Sequence, residues 1–332
     1  MGSLLAFVSA FSYAAGYILV RTGVRSGDAD GGAFVSTIAN AVLLAGALLL
    51  VALGGHLPPL DPAALAWFAI GGFLGPYLGR SLLFAGIHRL GPVRASAVVN
   101  TAPLVTVALA VIVIGEELSW AALAATALVV LGLIILAIEA FELDAPTGAQ
   151  GVAVIPAPGD ASAAVDVGKW DVAAREIRRW TAAGLASPVA VGLVAAGLSA
   201  VAFGIARTAR RLGMETLPEP LVGAAVGAVA GLVVHLLAQA TRGQLRAIVR
   251  STVLDPRPRL WAAGALSAVG LFTFFAALTF APLAHVAVIA ASETLVTLVL
   301  GGLFLRDSER LSPRVAIPAL CVFGGGLLVA LS

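Results

Sequence analysis

The sequence predicts an all-α integral membrane protein in which ten transmembrane helices form two inverted five-helix repeats. Three observations support this fold class: a very apolar composition, ten apolar runs of membrane-spanning length, and a likeness between the two halves of the chain. Of the 332 residues, 60% are hydrophobic and only 11% are charged, whereas a soluble domain carries about 25% charged residues. A mean hydropathy of +1.02 likewise indicates that lipid surrounds the chain.

Charge and motif content exclude several classes of protein. The net charge is +2 and the isoelectric point is near 9.1, but the arginines stand in short clusters between apolar runs. That pattern is typical of loops that set membrane topology, so we expect no nucleic-acid partner. Cys321 is the only cysteine, which excludes an internal disulfide. The sequence has no P-loop, zinc-protease or nucleophile-elbow pattern, so we expect neither an enzyme nor a bound cofactor or metal.

Ten apolar runs account for most of the chain, and each approaches the roughly 20 residues that cross a bilayer. They lie at about 4–20, 34–53, 63–84, 92–114, 121–138, 188–206, 221–240, 260–280, 282–305 and 313–331. The first run lacks a basic residue at its amino end and is long for a signal peptide, so we expect it to be retained as a helix.

The two halves of the chain resemble each other at polar positions. "LVRTGVR" (19–25) matches "IARTARR" (205–211), and "EELS" (116–119) matches "ERLS" (309–312), with an offset that drifts only from 186 to 193 residues. We therefore predict a first repeat at 1–138, a connecting loop at 139–187 and a second repeat at 188–332. Because each repeat has five spans, the second enters the membrane in the opposite sense, a plan that recurs in secondary transporters.

The connecting loop has a Pro/Gly/Ala-rich centre that predicts a flexible tether, and residues 170–180 have the pattern of an interfacial helix. The distribution of basic residues predicts the orientation. Of the 20 Lys and Arg residues, 16 lie in loops that follow odd-numbered spans, three (207, 210 and 211) lie on the opposite side, and Arg80 lies within a span. The positive-inside rule then places both termini outside.

Glu293 is the most deeply placed acidic residue, near the middle of the ninth run in "VIAASETLVTLVL". Ionisable residues within membrane helices usually face a cavity and mark a functional site. The sequence leaves three roles open for Glu293: binding and releasing a proton, pairing with a cationic group of a substrate, or hydrogen bonding a neighbouring helix as structural glue.

Arg80 follows "GPYLG" in the third run, at least a turn inside the membrane. Its charge requires a snorkelling path to the interface, an anionic ligand, or a partner such as Glu293. Gly75, Pro76 and Gly79 could interrupt the helix beside it, and interrupted backbone is tolerated at that depth where it lines a cavity.

The stretch "RLGPVRASAVVNTAP" (89–103) combines topology charges with polar groups inside the fourth run. Pro92 can begin a helix without losing a hydrogen bond, and Ser96 is small enough for close helix packing. Asn100 and Thr101 introduce polar side chains, and Pro103 frees a backbone carbonyl about one turn earlier. The repeat alignment places Pro103 opposite Glu293, so we expect the polar breaks of spans 4 and 9 to face each other.

The sequence offers further polar residues inside the spans. Each is individually a weak signal, because a single His or Tyr in a membrane helix is commonly a packing residue. Those that we take as candidates for substrate binding are Tyr13, Tyr17, Tyr77, His285 and Ser292, and weaker candidates are Ser36, Thr37, Asn40, His235 and Gln239.

Residues 80–136 resemble the EamA domain of the drug/metabolite transporter superfamily. They have a small-residue helix start, a mid-helix proline (Pro103), a G-E-x-L-S corner (115–119) and a glycine (Gly132) in the last helix. The second half resembles a diverged copy, in which Glu309, Leu311 and Ser312 keep the corner and Glu293 stands where the first copy has the proline.

This resemblance implies ten helices in two inverted repeats, a central cavity, and export or import of a small metabolite by alternating access. It also implies termini in the cytoplasm, in conflict with the charge count. We therefore expect a multi-pass protein of the cell membrane that transports an amino acid or a related polar or amphipathic solute, with protons as a candidate coupling ion. Its expected partners are that solute and membrane lipid, and nothing indicates an oligomer.

Two rival functions remain open at the level of sequence. A non-transporting membrane scaffold or receptor would use Glu293 and Arg80 as structural glue. A membrane enzyme acting on a lipid would need clustered carboxylates or histidines at one interface, and the sequence contains no such cluster.

Overall fold

A computed structural model of the chain shows an all-α membrane protein. It describes residues 1–23, 29–90, 98–143, 188–241 and 258–304, with a few isolated positions at 95, 243, 245 and within 320–328. No strand occurs in this described part. Several predictions fall outside it: Ser96, most of the connecting loop with its interfacial helix, the 309–312 corner, and most of the tenth run.

Six α-helices have defined bounds in the described part of the first half. Two of them continue into wider π-helical turns, Phe73–Gly79 after α3 and Ala110–Ile114 after α5. The α-helices are α1 (Gly2–Gly23), α2 (Ala29–Leu53), α3 (Pro62–Gly72), α4 (Arg80–Leu90), α5 (Ala102–Leu109) and α6 (Trp120–Leu143).

The described part of the second half contains five helices. They are α7 (Pro188–Thr216), α8 (Pro220–Thr241), α9 (Pro258–Phe280), α10 (Leu283–Ala290) and α11 (Glu293–Phe304).

Within the residues that the structure describes, six helical segments are long and apolar enough to cross a membrane: α1, α2, the continuous α3–α4 segment, α7, α8 and α9. The chain is therefore a multi-pass membrane protein. The same residues contain three shorter apolar stretches: Ala102–Ile114, Trp120–Gly132 within α6, and Leu283–Thr297 across α10 and the start of α11. The prediction of ten spans in inverted repeats stays a prediction.

Local sequence explains the irregular segments. Asp61 caps α3 by accepting a hydrogen bond from the Ala64 amide at 2.9 Å, and Pro62 occupies the first helical position. Pro76 lies inside the third run and cannot donate to the carbonyl one turn earlier, so the helix widens into a π-helical turn instead of breaking.

The fourth and ninth runs are each interrupted at the same relative place. In the fourth, the turn at 100–101 precedes α5, and the Thr101 hydroxyl donates to the Val98 carbonyl at 2.7 Å. In the ninth, the turn at 291–292 separates α10 from α11, and the Ser292 hydroxyl donates to the Ile289 carbonyl at 2.6 Å. At both interruptions a side-chain hydroxyl therefore satisfies a backbone acceptor three residues earlier.

Small residues let the helix backbones approach closely, as is common in membrane bundles. A Cβ atom on Gly72 of α3 would meet the backbone of Gly227 in α8, and a Cβ atom on Gly264 of α9 would lie 2.7 Å from the Ser36 carbonyl in α2. Neither glycine can therefore be enlarged without separating a helix pair.

Two hydroxyl contacts join helices of different halves. The Ser9 hydroxyl of α1 donates to the Gly270 carbonyl of α9 at 2.7 Å, and the Ser199 hydroxyl of α7 donates to the Gly79 carbonyl at 2.6 Å. An aromatic ring covers each glycine: a Cβ atom on Gly270 would lie 3.1 Å from the Tyr13 ring, and one on Gly79 would lie 3.1 Å from the Phe203 ring.

The end of α7 corrects one sequence-based assignment. Residues 207, 210 and 211 were counted as loop charges because the apolar run ends at residue 206. The helix continues to Thr216, so all three arginines lie on a helix of membrane-spanning length. Their removal from the loop count leaves the basic residues even more concentrated in loops that follow odd-numbered spans.

Candidate binding site

Glu293 is positioned by the interruption of the ninth run, because it is the first residue of α11. It lies about ten residues from either end of the segment formed by α10 and α11, or roughly 15 Å along the helix axis. Its carboxyl group accepts a hydrogen bond from the Tyr17 hydroxyl of α1 and interacts electrostatically with Arg207 of α7. The site therefore joins elements from both halves of the chain.

Arg207 and Arg210 project from one side of α7, one turn apart. The guanidinium of Arg207 interacts with Glu293, Tyr17 and Tyr13, yet its Nη1 atom is buried without a hydrogen-bond acceptor. Within the described residues, neither Arg207 nor Arg210 forms an ion pair at 4 Å or less. The cluster therefore holds positive charge that no neighbouring carboxylate fully neutralises.

Arg210 is fixed by aromatic and small residues. Its guanidinium carbon lies 5.7 Å from the ring centroid of Phe274 and 6.0 Å from that of Phe275, a cation–π geometry. Gly71 and Gly75 leave the space that the Arg210 side chain occupies. A Cβ atom on Gly71 would lie 2.9 Å from the Cγ atom of Arg210, and a Cβ atom on Gly75 would lie 3.2 Å from its Nη2 atom.

Two tyrosines of α1 line the same region. The rings of Tyr13 and Tyr17 are stacked, with centroids 6.5 Å apart, and both side chains interact electrostatically with Glu293 and Arg80. Arg80 thus approaches the tyrosines, while the arginine that faces Glu293 is Arg207. All these side chains are surrounded by protein and yet keep part of their surface accessible, as expected for residues that line an internal space.

The structure does not bring the other candidates into contact with Glu293. Tyr77 stacks on Phe73 at a centroid distance of 5.9 Å. His285 lies two turns earlier than Glu293, where it interacts with Glu116 and its Nδ1 atom is buried without a partner.

The remaining candidates for substrate binding lie at or near the two helix interruptions. The hydroxyls of Thr101 and Ser292 donate to carbonyls of their own segments, so they stabilise the interruptions. Asn100 is partly buried at the first interruption, and nothing is described for Ser96.

A separate polar pair lies on α8. His235 and Gln239 are buried, with ring Nε2 and amide Nε2 atoms 3.4 Å apart, and the Phe34 ring of α2 packs on His235 at 5.4 Å. The described residues contain no group of three or more His, Cys, Asp or Glu side chains that could hold a metal ion.

A second charged cluster lies where the corner after α5 meets the start of α10. The Glu116 carboxylate accepts hydrogen bonds from the backbone amides of Leu283 at 2.6 Å and Ala284 at 2.9 Å. The Arg211 guanidinium lies 3.9 Å from the same carboxylate and donates to the Leu278 carbonyl at 2.6 Å. Glu116 therefore caps α10 from a distant part of the chain.

Sequence reasoning missed Arg207 and Arg210 as site residues. A usable signal was present, because Arg207 and Thr208 match Arg21 and Thr22 in the repeat alignment. The match indicates duplication, but the apolar run by itself ends at residue 206 and places Arg207 outside the membrane.

Comparisons with known proteins agree with this architecture. Residues 1–138 match the model of the EamA-like transporter family. No curated protein matches the chain. Among solved structures, one crystal structure of a protein superposes on this chain with a TM-score of 0.63 at 16% sequence identity. The superposition covers 99% of this chain and 98% of the other chain, which shows a shared fold.

Proposed function

We propose that this chain, whose first 138 residues form an EamA-like transporter domain of the drug/metabolite transporter superfamily, is a secondary transporter of a small solute that works by alternating access. Members of this family are transporters rather than enzymes. The proposal places the solute among Glu293, Arg207, Tyr13 and Tyr17, where helices from both halves converge.

The observation that carries the proposal is the depth and accessibility of this charged cluster. Ionised groups inside a membrane protein cost several kcal/mol or more unless they are solvated or paired. Glu293 and Arg207 are deep along two helices of the second half, face Tyr17 of the first half, and keep part of their surface accessible. A purely structural pair would be expected to be closed off by direct hydrogen bonds, as the Glu116 cluster is.

Matched contacts support a two-fold plan for the conformational change. The pairs Ser9–Gly270 and Ser199–Gly79 connect the halves reciprocally, at an offset of about 190 residues. The interruptions at Thr101 and Ser292 have the same offset. Inverted repeats with interrupted helices around a mid-membrane site are the plan on which rocking between two access states is built.

We also propose that Glu293 couples transport to protons. A carboxyl that can change its charge beside an arginine can alter how strongly the site holds a solute in each access state. Because no ATP-binding motif is present in the sequence, a gradient is the source of energy that fits the chain.

Counterflow in proteoliposomes tests the transporter proposal. The full chain is reconstituted with internal unlabelled glucose, leucine, uridine, tetraethylammonium, citrate or glucose 6-phosphate, and the uptake of the matching external radiolabelled compound is followed. We expect saturable uptake of at least one compound above that of protein-free vesicles. If none of the six moves, the scaffold alternative is favoured.

A further inference from the structure

The charges around the site are unequal. The guanidinium groups of Arg80, Arg207 and Arg210 all act on Tyr13, and those of Arg80 and Arg207 also act on Tyr17. Glu293 is the one carboxylate among the electrostatic neighbours of the two tyrosines in the described residues. Arginine stays protonated in proteins, so the excess of positive charge cannot be removed by loss of a proton. Such an excess deep in a membrane protein is strongly unfavourable unless an anion offsets it.

The hydrogen bonds within the cluster point to the same deficit. The Nη1 atom of Arg207 is buried and has no acceptor, and leaving a buried donor of a charged group unsatisfied is strongly unfavourable. The carboxyl of Glu293, which interacts with Arg207, also receives the Tyr17 hydroxyl. At least one guanidinium donor of the cluster is therefore left without a protein acceptor.

The surroundings of Arg207 favour an oxyanion as the missing acceptor. Guanidinium groups bind carboxylates and phosphates through paired, charge-assisted hydrogen bonds. Arg210 is held over the Phe274 and Phe275 rings, so it contributes a fixed positive field one turn away instead of competing for the ligand.

We infer that the transported solute is an organic anion, whose carboxylate or phosphate group is bound by Arg207 while Arg210 supplies the positive potential that attracts it. This inference rests on the proposed transport function for its biological meaning but concerns binding alone. Glu293 then limits the size of the negative charge, because it interacts with the same guanidinium.

Ligand-induced thermal stabilisation of the purified full chain tests the inference. The probes are citrate as a carboxylate, glucose 6-phosphate as a phosphate, and glucose and tetraethylammonium as uncharged and cationic controls. We expect saturable stabilisation by citrate or glucose 6-phosphate but not by the controls. In Arg207→Gln the dissociation constant should rise about tenfold or more, and Arg207→Lys should retain part of the binding.

Arg259→Gln is the matched control variant, because Arg259 is exposed and its one hydrogen bond to a described residue is to the Thr22 carbonyl at 3.1 Å. It should bind the anions as the wild type does. Stabilisation by glucose or tetraethylammonium alone, or equal anion binding by the wild type and Arg207→Gln, would overturn the inference. If Arg207→Gln does not elute as a monodisperse protein, the comparison of the wild type with Arg207→Lys decides, and unchanged affinity in that variant for both anions counts against the inference.

The two proposals fail in distinguishable ways. If an anion binds in a manner that depends on Arg207 but shows no counterflow, the transport proposal is wrong and the anion-binding inference stands. If glucose, leucine, uridine or tetraethylammonium shows counterflow that Arg207→Gln does not change, the anion-binding inference is wrong and the transport proposal stands.

Discussion

Glu116 and Glu293 are both partly buried glutamates, but their environments differ in kind. Both oxygens of Glu116 accept short hydrogen bonds from backbone amides, and Arg211 adds an opposite charge at 3.9 Å. Glu293 receives one tyrosine hydroxyl and faces an arginine that keeps an unsatisfied nitrogen. Hydrogen bonds from the protein therefore satisfy both oxygens of Glu116, whereas the groups around Glu293 can still bind a ligand.

This difference separates stability from function within one molecule. A carboxylate that caps a helix across 167 positions of sequence joins the two halves firmly, and it holds the start of α10 in place. The region around Glu293, nearly three turns further on in the same run, is the one in which the proposed transport would require contacts to change.

Removal of the Glu116 carboxylate should give the largest effect on stability. Glu116→Ala leaves two amides without their acceptor and removes the opposite charge 3.9 Å from Arg211, so we expect a loss of about 2–4 kcal/mol in unfolding free energy. Thermal unfolding of the purified full chain measures it. The neighbouring Glu117 is exposed and serves as the control, and equal destabilisation by Glu117→Ala would contradict the capping role.

Substitution at Glu293 should have the opposite profile. Glu293→Gln keeps the shape and can still accept the Tyr17 hydrogen bond, but it removes the negative charge that interacts with Arg207. We therefore expect a loss of about 1 kcal/mol in unfolding free energy, smaller than that of Glu116→Ala. Uptake driven by a pH gradient should fall about tenfold, because the amide cannot exchange a proton. Proteoliposome uptake with and without the gradient measures both.

Two results at Glu293 would break the comparison. Uptake that responds to the pH gradient equally in Glu293→Gln and the wild type would remove Glu293 from coupling. A loss of stability as large as that of Glu116→Ala, with no effect of any ligand, would make Glu293 structural glue.

Much of this comparison was visible in the sequence, because it depends on local chemistry. The depth of Glu293 follows from its place within an apolar run, and the interruptions at Thr101 and Ser292 follow from polar and proline residues in otherwise regular helices. The "EELS" corner was recognised as a motif. The resemblance to the EamA domain was confirmed over residues 1–138.

The missing parts depend on tertiary contacts. Nothing local indicates that Glu116 caps a helix that begins at Leu283, since the cap exists only once the halves have packed. Arg207 and Arg210 were missed because hydropathy ends a span at the first charged residues. The helix continues where neighbours supply aromatic faces and glycine gaps for an arginine, as Phe274 and Gly71 do for Arg210.

The smallest expected effect is that of removing the Tyr17 hydroxyl on uptake. Tyr17→Phe removes the hydroxyl that donates to Glu293 but keeps the ring that stacks on Tyr13. One hydrogen bond to a partly accessible carboxyl is worth about 0.5–1 kcal/mol, so uptake should fall roughly two- to fivefold. The unfolding temperature should stay nearly constant because ring packing is unchanged.

Tyr77→Phe is the control, since Tyr77 stacks on Phe73 away from Glu293. An equal fall in uptake in that variant would show that tyrosine hydroxyls act through general packing and not through the carboxyl. A fall confined to Tyr17 would instead place the hydroxyl with Glu293 in the part of the molecule that binds, as opposed to the part around Glu116 that holds the helices together.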